Sequence, residues 1–306
     1  MRRLCLLLPA LWMVSASALP AGAADSGARC VIVTSLGGLP EYEENFAKWG
    51  AAVQEACRGE MGAEVDYING ASTGRTDILR IFESLSRSPE SGHIWLFLIG
   101  HATYDGRKWK FNIKGPDLTG EDLAAAVDIL PGDRMYIILA TNSAGLLMKR
   151  LAGPNRVIVT ATKSERERHP PLFMSFFIEA LNSAEADINK DRRVSLLEVF
   201  EFSEKKAAAW YLEKNRLQTE HPMISDAEGG TGLATAAYLS SPPEQAYRNL
   251  EARSLVPERI RLEREVEALK LQKAELTEAD YYATLQALLV ELAELNERIR
   301  ELEGSP

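Results

Sequence analysis

After its first two dozen residues the chain has no apolar run of transmembrane length, so no membrane-spanning helix is expected in the remainder. Positive charge is in short supply too. Lys and Arg number 35 against 44 Asp and Glu, and the formal net charge of −9 argues against nucleic acid or an anionic membrane surface as partner. Cysteine is scarce, with Cys5, Cys30 and Cys57 the only three in 306 residues, and none follows the N-terminal segment as a lipid acceptor.

The N-terminus carries Arg2 and Arg3, an apolar run from Leu4 to Val14, and small residues ending Ala21-Gly22-Ala23. This is the layout of a cleavable secretory signal over 1–23, cut after Ala23 or, second, after Ala18. A soluble, exported protein is expected, in a bacterial periplasm, and loss of the two arginines takes the formal charge to −11. In an oxidising compartment Cys30 and Cys57 are either free or bridged. If Cys30 opens the first strand and Cys57 closes the helix returning from it, both lie at one end of the sheet. A bridge there would stabilise by about 3 kcal/mol in the chain-entropy picture.

From Cys30 to Lys163 strand and helix patterns alternate, which predicts an α/β fold with a parallel sheet between helical layers. The strands read as 31–36, 65–68, 94–99, 135–139 and 156–162, with helices near 41–58, 76–86, 121–130 and 146–151. Thr119 before Glu121 and Asp122 predicts a capped helix start, and Asp105-Gly106 a small hairpin over 104–114. Two further helices, 171–182 and 195–217, complete a domain over 24–228. A Gly- and Pro-marked linker follows over 229–243, with 233–239 able to add a strand or packed segment. Residues 244–306 then read as a helical hairpin. Tyr281, Leu285, Leu288, Leu292, Leu295, Ile299 and Leu302 form an a/d seam, and Thr277 with Asp280 starts a new helix. The seam packs within the chain or serves self-association.

Two strands end in polar clusters. Ile94 to Ile99 runs into Gly100-His101-Ala102, and Met135 to Leu139 into Ala140-Thr141-Asn142-Ser143-Ala144-Gly145. Continuous apolar runs mark strands buried on both faces, and sites in such sheets collect at the carboxyl ends, so the two clusters are expected to face each other. A histidine there can act as general base, and a nucleophile belongs on the neighbouring strand end.

Strand-Gly-His followed by a hairpin, an acidic helix and a strand ending in a Gly turn resembles the caspase-like fold of legumain-type (C13) cysteine peptidases. The resemblance covers about 30–212. It extends to exported bacterial proteins that join this domain to a helical tail. It also likens 157–165 to the strand and loop lining the family's primary specificity pocket. The implied architecture is a caspase-like three-layer sandwich around a mostly parallel sheet. Two positions depart from the pattern: Asn142 stands where the catalytic Cys belongs, and the histidine motif reads Gly-His-Ala rather than Gly-His-Gly. An amide cannot serve as a deprotonated nucleophile, and Cys30 and Cys57 belong to the first βα unit. This implies a catalytically deficient homologue that binds a protein or peptide, His101 being vestigial. The alternative is a hydrolase in which Ser143 or Thr141 attacks with His101 as base.

The segment 187–198 matches a calcium loop. Oxygen ligands fall at Asp187, Asn189, Asp191, Ser195 and Glu198, with the Arg193 carbonyl at position 7. Arg192 replaces the usual glycine at position 6, where a left-handed turn costs on the order of 1 kcal/mol. Its alternative is a solvated turn whose Asp and Asn residues cap the next helix. No other cofactor is implied. His93 and His221 read as structural or exposed, and Lys163 to His169 as a solvated loop at the site's rim.

Overall fold

The structure, a computed structural model, describes residues 28–304 except 60, 88–91, 133, 191–192, 227–230, 241–246, 248, 272 and 274–275. The expected signal segment, the two ends of the expected linker and Asp191 lie outside the described residues.

The chain begins with β1 (Arg29–Thr34), α1 (Pro40–Gly59), β2 (Glu64–Asn69), α2 (Arg75–Leu85) and β3 (His93–Gly100). A small antiparallel excursion, β4 (Ala102–Tyr104), β5 (Trp109–Phe111) and β6 (Leu118–Thr119), leads into α3 (Gly120–Asp128). Then come β7 (Arg134–Thr141), a 3-10 turn over Ala144–Leu147, α4 (Met148–Leu151), β8 (Arg156–Thr160) and α5 (Phe173–Leu181). The rest is β9 (Val194–Ser195), α6 (Leu196–Glu213), β10 (Met223–Asp226), α7 (Gly232–Thr235), β11 (Tyr238–Ser240), α8 (Leu250–Leu271) and α9 (Glu278–Glu303).

Six strands form one sheet in the order β10-β8-β7-β3-β1-β2, parallel throughout except for β10 at the edge. The pleat sends successive side chains to opposite faces. Trp95, Phe97 and Ile99 pack with α1, α5 and α6, while Ile94, Leu96 and Leu98 pack with α2 and α3. Each such side chain stabilises the fold by about 1.5–3 kcal/mol through burial, so the central strands carry apolar residues on both faces. The expected caspase-like arrangement, a mostly parallel sheet between two helical layers, is the one observed.

Local chemistry sets the element starts. Thr119 accepts from the Asp122 N–H while the Asp122 carboxylate accepts from the Thr119 N–H, a complete capping box at α3. The expected hairpin over 104–114 is part of the three-stranded excursion, because Lys110 and Phe111 pair onward with Thr119 and Leu118. The strand expected over 156–162 stops at Thr160, whose hydroxyl donates to the Thr162 carbonyl and turns the chain. β10 was not expected: its short Met-Ile-Ser-Asp segment has neither an apolar run nor a turn signal. In the 233–239 segment, α7 is followed by β11, which pairs with β9.

The tail is a helical hairpin. Asn249 donates its N–H to Glu303 Oε1 at 2.9 Å and its amide nitrogen to the Leu302 carbonyl at 3.1 Å, tying the start of α8 to the end of α9. Tyr281 and Ile299 of the seam are buried, and its other members are half-buried. The Arg193 guanidinium makes a bidentate pair with Glu263 of α8 and lies 3.5 Å from the Tyr238 ring centroid, docking the hairpin on β9 and β11.

Candidate functional site

The ends of β3 and β7 lie side by side, with Gly100 in register with Thr141. Gly100 has φ +133, and a Cβ there would come within 2.1 Å of Ser35 Oγ. Only glycine lets the strand turn over Ser35, whose hydroxyl oxygen accepts the His101 N–H at 2.7 Å. His101 continues the face of Trp95, Phe97 and Ile99. Its ring meets Tyr42 and Phe46 edge-on at 4.6 and 4.9 Å between centroids. Burial pushes its pKa below the ordinary histidine value, against the Gly37 carbonyl that accepts from the ring and the nearby Glu43 charge.

The pleat places Thr141 on the opposite face from His101. The Thr141 hydroxyl, fully buried, donates to the Asn142 carbonyl at 3.3 Å. Asn142 Oδ1 accepts the Ala102 N–H at 2.9 Å, and its Nδ2 donates to the Ala102 carbonyl. One side-chain amide thereby satisfies both backbone groups of the residue after His101. The Asn142 carbonyl also accepts from Trp109 Nε1 at 3.3 Å.

Ser143 is fully buried and left-handed at φ 57. Its N–H donates to the Glu167 carbonyl at 2.9 Å and its hydroxyl to the Glu165 carbonyl at 3.3 Å. The Ala144 N–H donates to Thr162 Oγ1 at 2.7 Å. A Cβ at Gly145 would meet the Lys163 carbonyl at 2.2 Å, so glycine lets the 163–167 loop lie directly on this turn.

Two consequences follow for chemistry. The backbones of His101 and Asn142 adjoin, and the hydroxyls of Thr141 and Ser143 donate to the carbonyls of Asn142 and Glu165. The His101 ring is held against α1, and the Ser143 hydroxyl is turned to the rim loop. Stabilising an oxyanion needs N–H donors aimed at it. Those of His101, Ala102, Ser143 and Ala144 all bond within the fold.

The rim holds a pair that the sequence reading missed. Glu167, expected in a solvated loop, is buried, and its Oε1 lies 2.5 Å from His221 Nδ1. Its Oε2 accepts the Lys163 N–H at 2.7 Å. The neighbouring Glu220, fully buried, accepts the Leu172 and Phe173 N–H groups, both at 2.9 Å, at the start of α5. Burial first, and the Glu167 charge after it, raises the Glu220 pKa. A separation of 54 residues leaves no sequence signal for the Glu167–His221 contact.

In the 187–198 loop, Glu198 Oε1 accepts the Ile188 and Asn189 N–H groups at 3.0 and 3.1 Å. Its Oε2 accepts from the Ser195 N–H and hydroxyl at 2.9 and 2.8 Å. As placed, this carboxylate caps α6 and faces backbone donors. Among the described residues of the loop, Lys190 at position 4 is left-handed, with φ 61. Among the described residues no three His, Cys, Asp or Glu side chains converge to hold a metal, Asp191 being outside them. Cys30 and Cys57 are fully buried thiols with Sγ atoms 2.7 Å apart, and burial pushes the Cys30 pKa far up.

The overall shape is similar to caspase-1 from Spodoptera frugiperda, at 10% identity and TM-score 0.43, covering 70% of this chain and 90% of that one. It is likewise similar to drICE, at 14% identity and TM-score 0.40, covering 65% and 87%. No family model and no curated protein matches the sequence. Likeness at this level assigns no residue a role.

Proposed function

We propose that this chain is an exported, legumain-type relative of the caspase-fold peptidases in which Asn142 occupies the nucleophile position and the strand-end site binds rather than cuts. The observation that carries this reading is the bonding of Asn142 to both backbone groups of Ala102. An amide nitrogen offers no lone pair for attack. In this position Asn142 also takes up the Ala102 N–H, one of the backbone donors at the strand ends. Ser143 and Thr141, the remaining candidate nucleophiles, give their protons to carbonyls of Glu165 and Asn142 rather than to His101. The proposed ligand is a peptide or protein, and the docked hairpin is an interaction element. Calcium enters this reading only as a clamp on the 187–198 loop, outside the chemistry. Export rests on the 1–23 pattern, and among the described residues no helix is long and apolar enough to cross a membrane.

The test is covalent labelling of the full chain with a fluorophosphonate and with peptidyl electrophiles, read by intact mass. We expect no adduct at residues 141–143. An adduct that disappears in both His101→Ala and Ser143→Ala overturns the reading and establishes a hydrolase.

A further inference from the structure

The a/d seam of α9 is used up within the chain, yet the helix carries a second one. Ala279, Ala283, Gln286, Val290 and Ala293 repeat the steps of four and three, and Tyr282 and Leu289 lie alongside. All seven are exposed, Tyr282, Leu289 and Val290 at 52%, 47% and 51%. None is charged, so an uncharged stripe about 21 Å long runs along four turns on the side away from α8. A 4–3 repeat is the pattern by which one helix packs on another, so the stripe fits a helix rather than an extended strand. Its ends are acidic. Glu278 precedes it, Glu294 and Glu297 follow it, all three are exposed, and none takes part in an ion pair among the described residues.

Charge decides the occupant. A second copy laid antiparallel about Gln286 sets Glu278 opposite Glu294 twice, and a parallel copy stacks each carboxylate on itself. A formal net charge of −9 adds to the repulsion. Building on the binding role proposed above, we infer that the outer face of α9 over 279–293 docks an amphipathic helix of a partner protein, with lysine or arginine flanking its apolar stripe. Gln286, polar at the middle of the repeat, fixes the register by pairing with a polar group on the partner, as a single buried amide does in coiled coils.

The test uses the full chain and two synthetic helical peptides that share a Leu/Ala stripe with a central Asn. One has Lys and Arg at both ends and the other Glu. Fluorescence anisotropy is expected to show the basic-ended peptide binding about tenfold more tightly, the sum expected of three surface ion pairs, with the difference shrinking at high salt. Val290→Glu, on an exposed position, should abolish binding with the thermal transition unchanged. Glu278→Lys with Glu294→Lys should reverse the preference. Equal binding of both peptides, no binding of either, or a dimer in light scattering that Val290→Glu splits would each overturn the inference. Failure here leaves the strand-end reading intact, because electrophile labelling tests that separately.

Discussion

Asn142 uses both ends of its amide on one neighbour, and that fixes what its substitution does. Asn142→Ala leaves the Ala102 N–H and carbonyl buried without partners, which should cost about 1–3 kcal/mol in urea unfolding. Asn142→Asp should cost more at neutral pH, because a carboxylate then faces the Ala102 carbonyl. It should recover toward the alanine variant as pH falls from neutral toward about 4, because burial against a carbonyl raises the pKa of that carboxyl. His101 supplies a pH dependence of known sign. Its folded pKa lies below the ordinary value, so the unfolded chain binds the extra proton between the two. The histidine contribution to stability is therefore complete above about pH 6.5 and is lost as pH falls toward the folded value. An NMR titration should find that lower midpoint, and His101→Gln should flatten the acid-side loss of stability. The two thiols lie only ~0.7 Å beyond the length of a disulfide. Oxidation should lower the mass of the chain by about two hydrogens, and the bridge should stabilise by about 3 kcal/mol, an effect absent in Cys57→Ser.

At the scale of elements, two joints differ in how they respond to change. Gly100→Ala forces a Cβ against Ser35 Oγ at a backbone angle closed to L side chains, and should disorder the His101 turn and lower the unfolding midpoint. Arg193→Ala strips half-buried Glu263 of its bidentate partner, and should cost about 1–3 kcal/mol and expose the hairpin to limited proteolysis. Replacing the pair by Met and Leu should restore most of that, since apolar packing substitutes for a buried ion pair. The elements themselves were legible where chemistry is local. β3 and β7 announce themselves as long apolar runs, and the starts of α3 and α9 as Thr-x-x-Asp caps. What escaped depends on distant partners. β10 is a short, half-polar edge strand set by β8, and Glu167 meets His221 only because the rim loop folds over Gly145. The positions of His101, Thr141, Asn142 and Ser143 at adjoining strand ends could be read from the pattern. The direction each side chain takes could not, since it depends on the pleat, on Gly100 and on Ala102, 40 residues before Asn142.

For the whole molecule, a parallel sheet brings two strand ends together, and the polar groups there bond to one another. The hairpin is fastened to the domain beside β9 by Arg193 and Glu263, and the outer face of α9 stays exposed. Under the proposed reading the chain offers partners two surfaces, the strand ends with their rim loop and the outer face of α9. The central claim is that the backbone donors of the strand ends are already satisfied, and amide hydrogen exchange at Ala102, Ser143 and Ala144 measures this most directly. Slow exchange at all three is predicted in the native chain, with Asn142→Ala accelerating Ala102 selectively. Ala102 exchanging at the rate of an open loop in the native chain would contradict the account, for that N–H would then be free to meet an oxyanion.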